Sequence, residues 1–334
     1  MNALEVLSIL GGTALLLFAV VDVFMTVFMI GGGAGPQSRF AADRLWRLAL
    51  RLHDVDSPRS HSLMRAVGPL IVLLALLTWV LELVLGWALV FVPSTFAEPG
   101  EIGIDDRIVF AGKVVVGRSG NTPSLEVAWD GWEMVLSLAG ASGVVIISVG
   151  LAYVLPILAA VAHKRSIAAT IHTLGDTVDD MRALGQVSGG SSFELHLVAL
   201  VSGIVLCAER HRSYPVLHYF HSHDGHSALA PAVAKIALLL RADREGLDKV
   251  DPTVAEPLLQ AIRNLVSALS TMGLTRYARE MEDPDTDAMS PIDIAPSARS
   301  ARGGALPIEW FEAYVRFDGW SWDEIVAGDA SRRR

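Results

Sequence analysis

Apolar residues form three long runs in the first half of the chain. The runs cover about residues 6–30, 68–92 and 134–162. Each reaches the roughly 20 residues that a helix needs to cross the hydrocarbon core of a bilayer. The first run has no basic segment before it and is longer than the apolar core of a signal peptide, so we interpret it as a membrane helix. The pattern therefore predicts three transmembrane helices.

A shorter apolar stretch, DRIVFAGKVVVG, lies between the second and third runs. It is too short to cross a bilayer, and the acidic residues of the preceding GIDD are typical of a helix start. The sequence after it, GRSGNTPS, breaks the helical pattern. Two interpretations follow: a re-entrant helix and loop over about residues 105–123, or an interfacial helix with a surface loop. Non-helical backbone at membrane depth requires protein or a water-filled cavity around it.

Apolar residues at helical spacing continue in the second half of the chain. We predict a cytoplasmic α-helical domain over residues 163–280, a flexible linker over 281–304, and an aromatic-rich helix with a tail over 305–334. The apolar run at 195–208 is short for a span, and we interpret it as a buried core helix. The predicted fold class is an all-α membrane protein, with a transmembrane pore-type domain over residues 1–162.

The placement of basic residues predicts the orientation in the membrane. The loop between the first two predicted spans carries six arginines, whereas residues 93–133 carry three basic and seven acidic side chains. Loops rich in arginine and lysine stay in the cytoplasm. The N-terminus and residues 93–133 are therefore expected outside the cell, and the C-terminus in the cytoplasm. His163, Lys164 and Arg165 at the exit of the third run agree with this orientation, and the expected location is the inner (plasma) membrane.

Composition narrows the function further. The hydrophobic fraction of 52% and the mean hydropathy of +0.43 are typical of a membrane protein, so membrane lipid is an expected partner. The net charge of −9 gives no support to a nucleic-acid partner. Cys207 is the sole cysteine, so no intramolecular disulfide can form. The sequence has no phosphate-binding loop, nucleophile elbow or zinc-protease motif, so we expect neither enzymatic activity nor a cofactor.

Two acidic residues lie inside the predicted spans, Asp22 in the first and Glu82 in the second. An ionisable side chain at this depth is costly and is by default a candidate functional residue. The alternative is a structural residue that is protonated or paired with a neighbouring helix.

A histidine-rich stretch, HRSYPVLHYFHSHDGH, contains His218, His221 and His223. Imidazoles bind zinc or nickel when several converge, and the spacing of His218 and His221 places both on one face of a helix. However, no cysteine joins them, and HSHDGH is typical of a turn. These three residues are therefore weak metal-site candidates, with a solvated histidine-rich loop as the alternative.

The order of span, short helix, glycine turn, proline and span resembles the pore module of the potassium channel family. The filter of that family has the sequence T-V-G-Y-G-D, with a proline shortly after it, and VVGRSGNTP aligns with it. The segments DGWEMVLSLAGASGVVIISVGLAYVLPIL and GGGAGPQSRFAADRLWRL resemble the inner helix and cytoplasmic loop of bacterial three-span members. The aligned filter positions are Val115, Val116, Gly117, Arg118, Ser119, Gly120 and Pro123.

The resemblance implies a homotetramer around a central pore that passes a monovalent cation. A potassium filter dehydrates its ion with rings of carbonyl oxygens. Here Val115 replaces the threonine that supplies one ring, and Ser119 replaces a glycine that permits the unusual backbone. We therefore expect weak or lost potassium selectivity. The alternative function is a non-conducting scaffold or sensor that acts through the cytoplasmic helices. Arg118 is expected either in the wall, paired with a carboxylate, or facing the pore axis.

Overall fold

The computed structural model describes residues 2–29, 33–54, 57–93, 103–118, 131–188, 190–244, 250–270 and 308–327. These ranges contain helices, turns and no β-strand, so the all-α prediction is confirmed. The predicted linker over 281–304 lies outside them. The helices are α1 Ala3–Phe28, α2 Pro36–Leu52, α3 Pro58–Val90, α4 Ile104–Val115, α5 Gly131–His172, α6 Val178–Val187, α7 Ser191–Ser213, α8 Leu229–Arg244, α9 Pro252–Leu269, α10 Ile308–Phe317 and α11 Trp322–Ala327.

Four of these helices are long and apolar enough to cross a membrane. They are Ala3–Phe28, His61–Val90, Gly131–His172 and Ser191–Ser213. The first three overlap the predicted runs: α1 and α3 end at Phe28 and Val90, two residues before the predicted ends, and α5 continues past Ala162 to His172. The fourth, α7, was expected to be a buried core helix. It qualifies because its helix extends beyond the apolar run at both ends.

The chain divides into two compact units. Unit 1 consists of Met1–Met29, Ala34–Arg39 and Val72–Pro156, and unit 2 of Ile30–Gly33, Phe40–Ile71 and Ile157–Arg334. Each unit has its own buried core, and α2, α3 and α5 contribute residues to both.

Unit 1 packs α1, α3, α4 and the first part of α5 around buried aromatic side chains. Trp79 and Trp87 of α3, Phe91 just after it and Phe110 of α4 belong to one apolar cluster, in which the Phe91 and Phe110 rings meet edge to face. The backbones of α1 and α3 approach closely at Gly12 and Gly86. A Cβ atom added at Gly12 would lie only 2.6 Å from the Gly86 carbonyl oxygen. Small residues at such crossings are typical of packed membrane helices.

Unit 2 is built on α7, α8 and α9. Helix α7 packs along α9, burying Leu197, Leu200 and Ile204. Helix α8 is apolar and deeply buried, and it also contacts α10 from the C-terminal end of the chain. The aromatic-rich C-terminal segment therefore forms part of the core of this unit.

Candidate functional site

Helix α4 is the short helix between the second and third spans. It has 12 residues, so its length is about 18 Å, little more than half of a bilayer core. It begins at Ile104, directly after Gly103, whose amide donates to the Asp106 carboxylate at 3.2 Å. Asp105 and Asp106 place negative charge at the positive end of the helix dipole. The predicted helix start is confirmed.

The last turn of α4 is buried between α3 and α5. Val114 and Val115 are 6% and 1% exposed and belong to the same cluster as Leu83 of α3 and Ala139 of α5. The Val115 carbonyl faces Gly143 so closely that a Cβ atom at Gly143 would collide with it. The end of this short helix is therefore packed against two candidate spans.

The chain leaves α4 through a glycine cap. Gly117 has a φ of +76°, in the left-handed region that favours glycine. The Gly117 amide donates to the Val114 carbonyl at 3.0 Å, and the Arg118 amide donates to the Lys113 carbonyl at 2.7 Å. These two bonds form a Schellman motif, a common end for a helix. The carbonyl groups of Lys113 and Val114 therefore bind backbone amides.

This cap changes the interpretation of the aligned filter positions. Val115 is the last helical residue and Val116 is the C-cap, so neither lies in an extended filter strand. The Arg118 side chain is exposed, so within one chain it has no buried position in a wall. Ser119, Gly120 and Pro123 lie outside the described residues. The break in the helical pattern that the sequence predicts at Gly117 is therefore confirmed.

Asp22 of α1 caps the N-terminus of α2. Its Oδ1 atom accepts hydrogen bonds from the amides of Gln37, at 2.9 Å, and Ser38, at 3.4 Å. Its Oδ2 atom accepts from the Ser38 hydroxyl at 2.6 Å and from the Trp79 indole at 2.9 Å. Gly35 precedes the helix and has no side chain with which to cap it, so a carboxylate from another helix takes that role. The geometry fits the structural alternative for Asp22.

Glu82 of α3 has a different environment. Gln37 is a hydrogen-bond partner of its side chain, and the Asp22 carboxylate is close enough to repel it. Its Oε2 atom is buried and makes no hydrogen bond within the described part of the chain. Of the two acidic residues, Glu82 is therefore the one that retains a binding capacity inside a span.

In unit 2, the stretch after α10 inserts among histidines and a lysine. The Lys164 ammonium lies 3.7 Å from the Asp318 carboxylate and donates to the Phe220 carbonyl at 3.1 Å. The Trp320 ring stacks on His61 and on His221, with centroids 4.7 and 4.9 Å apart. We call Lys164, Asp318, Trp320, His61 and His221 the C-terminal cluster.

In the C-terminal cluster, the hydrogen bonds of His221 show which of its ring nitrogens carries a proton. His221 Nδ1 lies 2.9 Å from the Asp318 carbonyl oxygen, which can only accept, so Nδ1 carries a proton. His221 Nε2 lies 3.0 Å from His61 Nδ1 and accepts from it when His221 is neutral. Burial lowers the pKa of His221 to about 3, and it raises the pKa of Asp318 to about 6 although the Lys164 ammonium opposes that rise.

The histidine-rich stretch is buried in its first part and exposed in its last part. His218 and His221 are each 1% exposed, and His218 stacks on Phe317 with centroids 4.4 Å apart. Burial also lowers the pKa of His218 well below its ordinary value. His223 is exposed, and the three weak candidates do not converge. Among the described residues, the metal-ligand side chains that come together are His172, Asp176 and His226.

Comparisons with known proteins agree with the membrane assignment. The chain is 28% identical over 246 residues to a protein of Bacillus subtilis (strain 168) called uncharacterized membrane protein YdjJ. The match covers 70% of this chain and 69% of that protein. No family model and no solved structure matches the chain. The protein is an integral, multi-pass membrane protein with four candidate spans.

Proposed function

We propose that the protein is an oligomeric, channel-type membrane protein in which α4 of each subunit lines the entrance to a shared cation path. The observation that carries this proposal is the position of α4, a half-membrane helix whose last turn is buried between α3 and α5. Its C-terminal end carries the negative end of the helix dipole, which favours a cation nearby. One such helix cannot enclose a path, so the proposal requires several subunits, and the resemblance to potassium channels implies four.

The proposed path passes cations with little preference for potassium over sodium. The Lys113 and Val114 carbonyls bind backbone amides in the Schellman motif, so they are not free to form an ion-binding ring. Threonine and the second glycine of the potassium filter are also missing at Val115 and Ser119. Dehydration of potassium by stacked carbonyl rings is therefore not expected at these positions.

A second candidate function is a non-conducting scaffold or sensor in the same membrane orientation. The glycine cap favours it. The Schellman motif ends the helix and occupies the Lys113 and Val114 carbonyls directly before the aligned filter positions, so these carbonyls cannot bind an ion. The buried C-terminal cluster holds the C-terminal segment within unit 2. Such a protein therefore has a folded helical unit through which it can act on a partner.

Cation flux measured with the purified chain in liposomes separates the two functions. The expected result for a channel is protein-dependent flux of sodium and potassium at similar rates. The Arg118→Ala variant should remain assembled, since the side chain is exposed, and should increase cation flux if the guanidinium faces the path. Arg118→Lys keeps the charge and is the matched control. Intact oligomers with no flux in any variant would favour the scaffold.

A further inference from the structure

Three side chains with metal-ligand chemistry meet at the C-terminal end of α5. They are His172, Asp176 and His226, and one ligand atom from each lies within 4.8 Å of the other two. The Asp176 Oδ1 atom lies 3.5 Å from His172 Nδ1 and 3.7 Å from His226 Nδ1. The two imidazole centroids are 4.6 Å apart. This arrangement shares no residue with α4 or with the C-terminal cluster.

The orientation of His172 indicates what the three side chains hold. Its side chain is 9% exposed, and Nε2 lies 3.0 Å from the Gly225 carbonyl oxygen, to which it donates. In the neutral imidazole, Nδ1 then carries a lone pair. That Nδ1 atom is buried and makes no hydrogen bond within the described residues, although it lies beside the Asp176 carboxylate. Two electron-rich atoms therefore face each other, and a cation between them would satisfy both.

The same hydrogen bond is the support that metal-binding histidines normally have. A ligand histidine usually donates its other ring nitrogen to a backbone carbonyl or carboxylate, which fixes the tautomer and the ring orientation. His172 has this support from Gly225, the residue directly before His226. The turn that contains His226 is held by Asp224, which accepts from the Ser227 amide at 2.8 Å.

We propose that His172, Asp176 and His226 form a binding site for a divalent transition metal of the zinc class. Tetrahedral zinc has bonds of about 2.0–2.1 Å to nitrogen and oxygen, which places its ligand atoms about 3.3 Å apart. The separations of 3.5 and 3.7 Å between Asp176 and the two imidazoles are close to this value, and the two imidazole ligand atoms lie within 4.8 Å of each other. Two imidazoles and a carboxylate suit zinc, nickel or cobalt better than calcium or magnesium.

The site has three protein ligands and an exposed side. His226 is 67% exposed and Asp176 is 36% exposed, so a water molecule can complete the coordination. A bound ion would tie the turn at Gly225–Ser227 to the end of α5 by direct bonds.

Zinc titration of the full-length chain, purified in detergent and stripped with a chelator, tests the site. Calorimetry should give one zinc ion per chain. His226→Gln and Asp176→Asn alter exposed or half-buried side chains and should leave folding intact. Each should weaken zinc binding by at least about 10- to 100-fold, the range that even the outer partners of a metal site carry. Cobalt added in place of zinc should give visible absorption bands that both variants lose.

His223→Gln is the matched control, because His223 is exposed in the same stretch but lies outside the three-residue group. Its zinc affinity should equal that of the unmodified chain. Equal losses in the His223 and His226 variants would overturn the proposal in favour of diffuse binding by a histidine-rich surface. The absence of zinc binding by the unmodified chain would overturn it as well, and would leave a carboxylate shared by two histidines.

Discussion

Lys164 and Asp318 form a buried ion pair in unit 2, with Nζ and Oδ1 3.7 Å apart and both side chains 1% exposed. They join α5 to the residue that follows α10. Removal of one partner of such a pair leaves an uncompensated charge and costs about 3–5 kcal/mol. We therefore expect Asp318→Asn and Lys164→Met each to lower the thermal stability of the purified chain and to expose the C-terminal segment to protease.

Two further variants control for this ion-pair prediction. The double variant Lys164→Met with Asp318→Leu removes both charges and should recover much of the stability, because apolar replacements of buried pairs are often neutral. Asp179→Asn breaks an ion pair with Arg182 whose side chains are 44% and 37% exposed, and it should cost no more than about 1 kcal/mol. Equal losses of stability in the Asp179 and Asp318 variants would contradict the assignment of Lys164 and Asp318 as a buried ion pair.

The histidines of the same unit predict a dependence of stability on pH. The pKa of His221 falls to about 3 and that of His218 falls well below its ordinary value, both mainly by burial. The stability that each contributes is complete above the unfolded pKa near 6.5 and is lost as the pH falls towards the folded pKa. Asp318 has the opposite sign, because its raised pKa of about 6 contributes stability below pH 4 that is lost as the pH rises to 6.

At pH 5 these three groups do not cancel. The two histidines gain protons on unfolding and Asp318 loses one, so these three groups together bind more protons in the unfolded state than in the folded state. The free energy of unfolding should then fall as the pH decreases near pH 5. Chemical denaturation of the detergent-purified chain between pH 7 and 4.5 measures this slope. His221→Asn should reduce it, and a stability that rises on acidification would refute the prediction.

Sequence reasoning located the features that depend on neighbouring residues. The three apolar runs and the start of α4 after GIDD follow from run length and from acids at a helix N-terminus. Lys164 shows the limit of this reasoning. It was interpreted as part of a basic exit from the third span, whereas it is buried against a residue far along the chain. The partner that makes its burial tolerable is set by packing, which no local pattern records.

The metal-ligand group was missed for a related reason. The histidine-rich stretch drew attention to His218, His221 and His223, which are close in sequence. The side chains that meet are His172 and Asp176, at the end of α5, and His226, which is the last histidine of that stretch. The backbone at Gly175, with φ at +154°, lets Asp176 lie beside His172. A search by local spacing alone does not pair two elements that meet through tertiary structure.

Asp22 should stabilise the protein as a cap. Asp22→Ala leaves two α2 amides and the Trp79 indole without their acceptor inside unit 1. The loss of a cap costs about 0.5–2 kcal/mol, and each unsatisfied buried donor adds about 1–3 kcal/mol. We therefore expect a clear fall in melting temperature. Asp22→Asn keeps an acceptor oxygen, so its melting temperature should fall less.

The matched control for Asp22 is Asn2→Ala. Asn2 caps the exposed start of α1 by accepting from the Glu5 amide at 2.8 Å, so its loss should cost about 1 kcal/mol or less. A melting temperature unchanged by Asp22→Ala would show that the carboxylate is not a structural cap and would return Asp22 to the functional candidates.

Two glycine-to-alanine variants test the packing of α4 against α5. A methyl group at Gly143 would collide with the Val115 carbonyl, whereas at Gly11, in another candidate span, it would meet nothing within 4 Å. Gly143→Ala should therefore displace the end of α4 and destabilise the purified protein, and overpacking of this kind costs about 1–3 kcal/mol. Gly11→Ala should leave the melting temperature unchanged or raise it slightly. Equal behaviour of the two variants would mean that α4 is not held against α5.

The side of the membrane on which the C-terminus lies depends on α7. If α7 crosses the bilayer, α9 must accompany it, because the two helices pack along each other. However, α9 carries Glu256 and Arg263, and an ion pair at membrane depth is costly. We therefore expect α7 to remain on the cytoplasmic side, with α1, α3 and α5 as the spans.

This topology is tested by two reporters in the same cells. A reporter fused after Arg334 should be active in the cytoplasm, and a tag inserted at residues 97–103 should be accessible from outside. The pair tests the orientation, since a crossing by α7 without a second crossing by α9 moves the C-terminus outside while the tag stays outside. An accessible tag with an external C-terminus would therefore establish four spans. An inaccessible tag with an external C-terminus would reverse the whole orientation and remove the basis for an external entrance at α4.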